Sequence, residues 1–379
     1  MSSRRDPRFP YCPFGRISRR KFLKLAGAAA GGTALAGCRT AAPEPAAAPS
    51  ATPGSDARAK VAVARAADYD PAEVRKQVEA VFDGLGGIAD VVQPGDTVAV
   101  KVNLTGGIQG GPPDVIRTAP ESYVTHPAVA RAVCELLRDA GAAQIYIVEA
   151  VWQWASFVEW GYTSMAEEVG ATLIDLNQTT PYDDYATVPV GPDAFIYESF
   201  HFNRLLEEAD ALVSVPKMKC HYLLGITQSM KNLVGLAPYK FYELEKGDGY
   251  RTGFHGREHE TGTRLPRVVM DLNRARPVNL ALIDGIKTVD GSEGPWNMDL
   301  GAKSPGLLIG GKNPVATDAA AVAAMGFDPE AEYPAAPFLR AENHLNIARS
   351  LGLGSNRLED VEIVGADLDE VKMKFRPAW

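Results

Sequence analysis

Beyond residue 60 the chain alternates short apolar runs with stretches whose apolar positions recur every three or four residues. Residues 60–66 read as a short β run, 71–85 carry helical spacing, and 96–103 form a strand after the Pro94-Gly95 turn. The clearest unit follows. Ala128, Val129, Ala132, Val133, Leu136, Leu137 and Ala140 repeat at the helical period, Pro127 suits the first helical position, Gly141 suits the C-cap, and 144–148 is the next strand. Further pairs recur at 205–209 and 211–215, at 265–274 and 279–283, and at 306–309 and 315–325. This alternation predicts an α/β fold, a mostly parallel sheet flanked by helices in a Rossmann-like three-layer arrangement, as a single large domain over 60–379. The Gly-rich stretch 246–262 reads as a long surface loop, and no internal repeat is visible.

The first 59 residues break the pattern. Ser18-Arg19-Arg20-Lys21-Phe22-Leu23-Lys24 matches the twin-arginine export consensus, and the Ala/Gly-built stretch 25–36 after it is too short and too weakly apolar to span a membrane. Leu35-Ala36-Gly37-Cys38 then reads as a lipoprotein box, with Cys38 lipidated and first in the mature chain. Residues 1–37 are thus expected to be a signal peptide recognised by the twin-arginine machinery. Residues 38–59, rich in Ala and Pro, are expected to be a linker.

Over its 379 residues the chain is 46% hydrophobic with a net charge of −8, which fits a folded protein and excludes nucleic acid as the main partner. Removing 1–37 strips eight basic side chains and one acidic one, leaving a net charge of −15. So acidic a surface does not seek an anionic membrane, and tethering falls to the lipid on Cys38 alone.

Within an acidic chain, lysines gather where strands end, and in open α/β sheets ligands sit beyond the carboxyl ends of strands. Lys101 and Asn103 end one strand. Lys217, Lys219 and His221 follow another and share one side if the segment stays extended, and Lys231 and Asn232 open a helix soon after. They are the expected binding groups for a phosphate or carboxylate. His126, beside the helix start at Pro127, is expected to stay neutral and, with His221, to be a candidate for proton transfer. The expected acidic counterparts are Glu149, Asp284, Glu293 and Asp318, the last paired with a lysine because it lies among alanines.

Other signals carry less. His255-Gly256-Arg257-Glu258-His259 spells H-x-x-E-H, yet its glycines oppose the helix that a zinc peptidase requires. Cys220, between Lys219 and His221, reads as an activated thiol or as one of two buried unpaired thiols with Cys134, a disulfide between them being the alternative. No iron–sulfur ligand set is present, whereas a divalent metal is compatible with the polar residues.

The ordered set Lys101-Val102-Asn103, Thr125-His126-Pro127, Pro216-Lys217-Met218-Lys219-Cys220-His221, Lys231-Asn232-Leu233-Val234-Gly235, Glu293-Gly294-Pro295 and Asn313-Pro314-Val315-Ala316-Thr317-Asp318 resembles the family called domain of unknown function 362. The resemblance runs from about residue 60 to the last 30 or so and carries no activity with it. Some relatives join this domain to ferredoxin-type cluster modules, and Cys220 stands where the family pattern leads one to expect Thr. The residues themselves point to an exported enzyme acting on an anionic small molecule, with metal assistance an option. The alternative is a lipid-tethered, non-catalytic binding protein for such a ligand.

Overall fold

The computed structural model describes residues 58–247, 249–296 and 300–378, which fall in one compact unit. The expected signal peptide, the Cys38 lipobox and nearly all of the linker lie outside the described residues. Eight strands form the main sheet in the order Val361–Gly365, Ala59–Arg65, Leu307–Gly311, Leu280–Gly285, Ala211–Val215, Thr97–Val102, Gln144–Glu149 and Thr172–Asp175. All run parallel except Leu307–Gly311, which lies antiparallel between its neighbours. The sheet is therefore mostly parallel, as its near-continuous apolar runs predict.

Alternation along the strands divides the core. Val98, Val100 and Val102, with Ala211, Val213 and Val215, face helices Pro71–Gly84 and Pro127–Asp139. Ala99 and Leu212 face helices Thr261–Ala275 and Pro314–Ala324 on the other side, completing three layers. Local signals set these helices: Pro71 and Pro127 take first-turn positions, and Asp70 accepts a hydrogen bond from the Glu73 amide at 2.9 Å.

From Thr97–Val102 the chain moves outward through Gln144–Glu149 and Thr172–Asp175. It then returns to lay Ala211–Val215 on the opposite flank of the Thr97–Val102 strand. The crevice beyond these two strands is thus the topological switch point, where α/β sheets bind ligands. Among the described residues no helix is long and apolar enough to cross a membrane.

Candidate functional site

A cavity of about 690 Å³ opens at the switch point. It takes in Lys101 and Asn103 from the first strand end, Glu149 from the next, Lys219, His221, Lys231 and Asn232 from the segment after the second, and Glu293. Arg251 and His255 line it as well. Four cationic side chains therefore face two carboxylates.

The cations differ in how far the protein already satisfies them. Lys101 spends all three ammonium donors, on Val102 O at 2.6 Å, Asn232 Oδ1 at 3.1 Å and Glu149 Oε1 at 3.0 Å. Its burial lowers its pKa, with Glu149 opposing the shift. Asn232 in turn donates to Lys101 O and Ser214 Oγ, and Glu149 accepts from the Leu104 amide. Gly235 lies against this cluster so closely that a Cβ there would overlap Glu149 and stand 2.6 Å from Lys101 Nζ. Lys101 and Asn232 thus form a fixed floor with no donor left for a ligand.

Lys219 donates to Tyr123 O at 2.6 Å and Glu293 O at 2.9 Å, which leaves one donor. Burial pulls its pKa well down, ahead of the opposing charge of Glu293. Lys231 makes no hydrogen bond or ion pair with any described residue. Burial, ahead of the opposing Glu293 and the repelling Lys101, brings its pKa to about 8. Two further groups lack partners: Asn103 Oδ1 and Thr227 Oγ1 are buried in the cavity wall without a hydrogen bond among the described residues.

His221 is held in one tautomer. Its Nδ1 accepts from the amides of Leu223 at 3.1 Å and Leu224 at 3.2 Å, which leaves the proton on Nε2. Burial, reinforced by the charge of Lys231, keeps the ring neutral. In this tautomer Nε2 carries the proton and is a hydrogen-bond donor. His255 is likewise held neutral, its pKa lowered to about 4 chiefly by burial. His259 is exposed on the turn past Gly256, so the H-x-x-E-H pair shares no helical face.

Four expected residues, Lys217, His126, Asp284 and Asp318, lie outside the cavity lining. Lys217 keeps the sheet register, bridging to Asp284, and so points to the face of Val213 and Val215, opposite Lys101. There it donates to Asp284 Oδ2 at 2.8 Å, Tyr69 Oη at 2.8 Å and Pro120 O at 2.9 Å, with both ion-pair partners fully buried. His126 joins this second cluster. Its amide donates to Asp284 at 2.9 Å, its Nδ1 caps the helix through the Ala128 amide, and its ring stacks on Tyr69 at 3.7 Å. Burial lowers its pKa to about 4. Lys217, His126 and Asp284 therefore do not line the crevice, and the donors of this second cluster are consumed internally.

Asp318 pairs with no lysine. Its carboxylate accepts from Ser229 N at 2.8 Å, from Ser229 Oγ, and from Met230 N at 3.0 Å. It thereby caps the short helix Gln228–Lys231 and positions Lys231. Cys134 and Cys220 are free and buried, and burial pushes the Cys220 thiol up, against the activation its neighbours suggested. Among the described residues no group of three or more His, Cys, Asp or Glu is placed to hold a metal ion.

Sequence reasoning missed the place in the cavity of Arg251 and of His255, the latter read only within the H-x-x-E-H pattern, and of Trp152, Tyr250 and Trp296. The first two come from the Gly-rich stretch, which folds partly as helix Thr252–His255 against the cavity. Arg251 is fixed by Ala237 O and by Ala150 O at 3.1 Å.

The chain is similar to the thylakoid-associated protein sll1697 of Synechocystis, with 24% identity over 271 residues, 71% of this chain and 75% of that protein. Among solved structures it is similar to the lactate racemase apoprotein of Thermoanaerobacterium thermosaccharolyticum (12% identity, TM-score 0.36, 66% of this chain and 54% of that one). It is also similar to a protein of Thermotoga maritima (11% identity, TM-score 0.29, 62% and 55%). It spans about half the length of those two chains. The match to the family Domain of unknown function (DUF362) runs over residues 98–323 and takes in every cavity-lining side chain from Lys101 to Trp296, and the chain belongs to that family.

Proposed function

We propose that the protein is exported by the twin-arginine route, held at the membrane by lipid on Cys38, and acts as an enzyme on a small molecule bearing a phosphate or carboxylate. The observation that carries this reading is Lys231, an ammonium inside the cavity with no partner among the described residues, beside Lys219 with one donor to spare. An unpaired cation that is largely withdrawn from water is costly and is offset by an anion that accepts its hydrogen bonds. The Nε2–H of His221 adds a neutral donor, and the protein's lysine with a pKa near 8 is the group able to give or take a proton at the anion's edge. Non-catalytic ligand capture is the second reading. It is favoured by the occupied Nδ1 of His221 and by the absence of His126 from the cavity lining.

Titration of sulfate, whose charge is constant near neutrality, tests the clamp. Lys231→Met is expected to weaken it about 10- to 150-fold, the equivalent of about 1.5–3 kcal/mol for a charge-assisted hydrogen bond. Incubation with a panel of phosphate esters and carboxylates, followed by mass spectrometry, separates the readings: product formation supports the enzyme, and unchanged recovery of bound compound supports capture.

A further inference from the structure

The cavity has two chemically distinct ends. Its floor is cationic and buried, whereas Trp152, Tyr250 and Trp296 line it while remaining 44%, 51% and 41% exposed. Large aromatic rings left in water at the mouth of a site are unusual unless something covers them. These rings are also held in place. Trp296 donates its indole N–H to Glu293 Oε1 at 2.9 Å, the same carboxylate whose Oε2 takes the Tyr222 amide. Trp152 and Tyr250 pack with ring centroids 4.8 Å apart.

A glycine loop joins the two aromatic walls. Gly106 and Gly107 have φ of 84° and 61°, and a Cβ on Gly106 would overlap the Trp296 ring while one on Gly107 would stand 3.0 Å from Trp152 Cβ. Gln153 pins the same loop by accepting the Ile108 amide at 3.0 Å. The loop sequence therefore makes room for the rings, and the rings stand over the entrance to the lysines.

The volume agrees. A phosphate or carboxylate group is about the size of a few water molecules, roughly 30 Å³ each, so it fills only the floor of a 690 Å³ cavity. That volume suits a ligand of drug-like size. The geometry points to a ligand that carries a flat ring next to its anionic group, with the anion on Lys231 and Lys219 and the ring against Trp152 and its neighbours at the mouth. This specificity rests on the anion-binding reading above and adds the ring to it.

The test compares phenyl phosphate with methyl phosphate by calorimetry at fixed pH. Phenyl phosphate is expected to bind about tenfold more tightly, in keeping with one aromatic contact in a partly open site. In Trp152→Ala the ratio of the two affinities should shrink to within about twofold. Equal affinities in the unaltered protein overturn the ring inference and leave the anion clamp standing. Binding of neither ester overturns the clamp, and the ring inference with it. A preference that persists undiminished in both Trp152→Ala and Tyr250→Ala also overturns the assignment, since the ring would then lie elsewhere.

Discussion

Lys217 and Lys231 carry the same ammonium into opposite surroundings. Lys217 spends its donors on Asp284, Tyr69 and Pro120 and leaves nothing for a ligand. Burial lowers its pKa, and Asp284 holds it up. A buried pair of this kind is costly to break, because the surviving carboxylate stays in the interior uncompensated. Lys217→Met should therefore destabilise the fold by about 3–5 kcal/mol, visible as a lower denaturation midpoint, and pairing it with Asp284→Leu should recover part of the loss. A Lys217→Met protein of unchanged stability but weakened sulfate binding would return Lys217 to the site. In the sequence the two lysines looked alike. What separates them is that Lys217 still pairs with the main sheet through its bridge to Asp284, whereas Lys231 lies on the short helix Gln228–Lys231 that turns it to the cavity, which no spacing rule reveals.

At the level of elements, motifs that read as chemistry turn out to build the scaffold around it. Thr125 accepts the Asn103 amide and donates to Val215 O at 2.7 Å, tying together the two strand ends that flank the switch point. His126 then caps the following helix. Asn313 caps helix Pro314–Ala324, and Asp318 from that helix caps Gln228–Lys231. The strongly periodic helices and apolar strands were legible to within a few residues, because burial on one face imposes their period; the helix read at 265–274 begins at Thr261, inside the stretch read as loop. The pairing of Asp318 with backbone donors instead of lysine was not, because it depends on which helix end meets its carboxylate.

That contact has a pH consequence. Burial raises the Asp318 pKa from 3.8 to about 7, despite the opposing hydrogen bonds from Ser229 and Met230. The folded protein thus holds this proton more tightly than the unfolded chain. The stabilisation is complete below about pH 3.8 and disappears as pH rises through about 7, an effect on the order of a few kcal/mol. Thermal scans of Asp318→Asn should show a flatter dependence of Tm on pH over that interval, and an unchanged slope would assign the titration to another group.

On the scale of the whole molecule, the sheet order brings residues from three neighbouring strand ends, and from loops far apart in sequence, to one crevice. The placement of Lys101, Lys219, His221 and Lys231 near one another follows from the rule that parallel strands end on a common edge. Arg251, the four-residue helix that carries His255, and the aromatic mouth come from segments too short or irregular to show a period. The amino-terminal segment belongs to this scale too: replacing Arg19 and Arg20 with Lys should trap precursor in the cytoplasm, and normal export of that variant would count against the twin-arginine assignment. Lys231 as the protonated clamp for an anion is open to direct test by calorimetric sulfate titration from pH 6.5 to 9.5. With the charged lysine as the binding form and its pKa at about 8, affinity should hold steady below that pH and fall by up to about tenfold per unit above it, and in Lys231→Met the affinity should drop about 10- to 150-fold and the pH slope disappear. An affinity that ignores pH across this range, or is unaltered by Lys231→Met, would rule out Lys231 as the clamp.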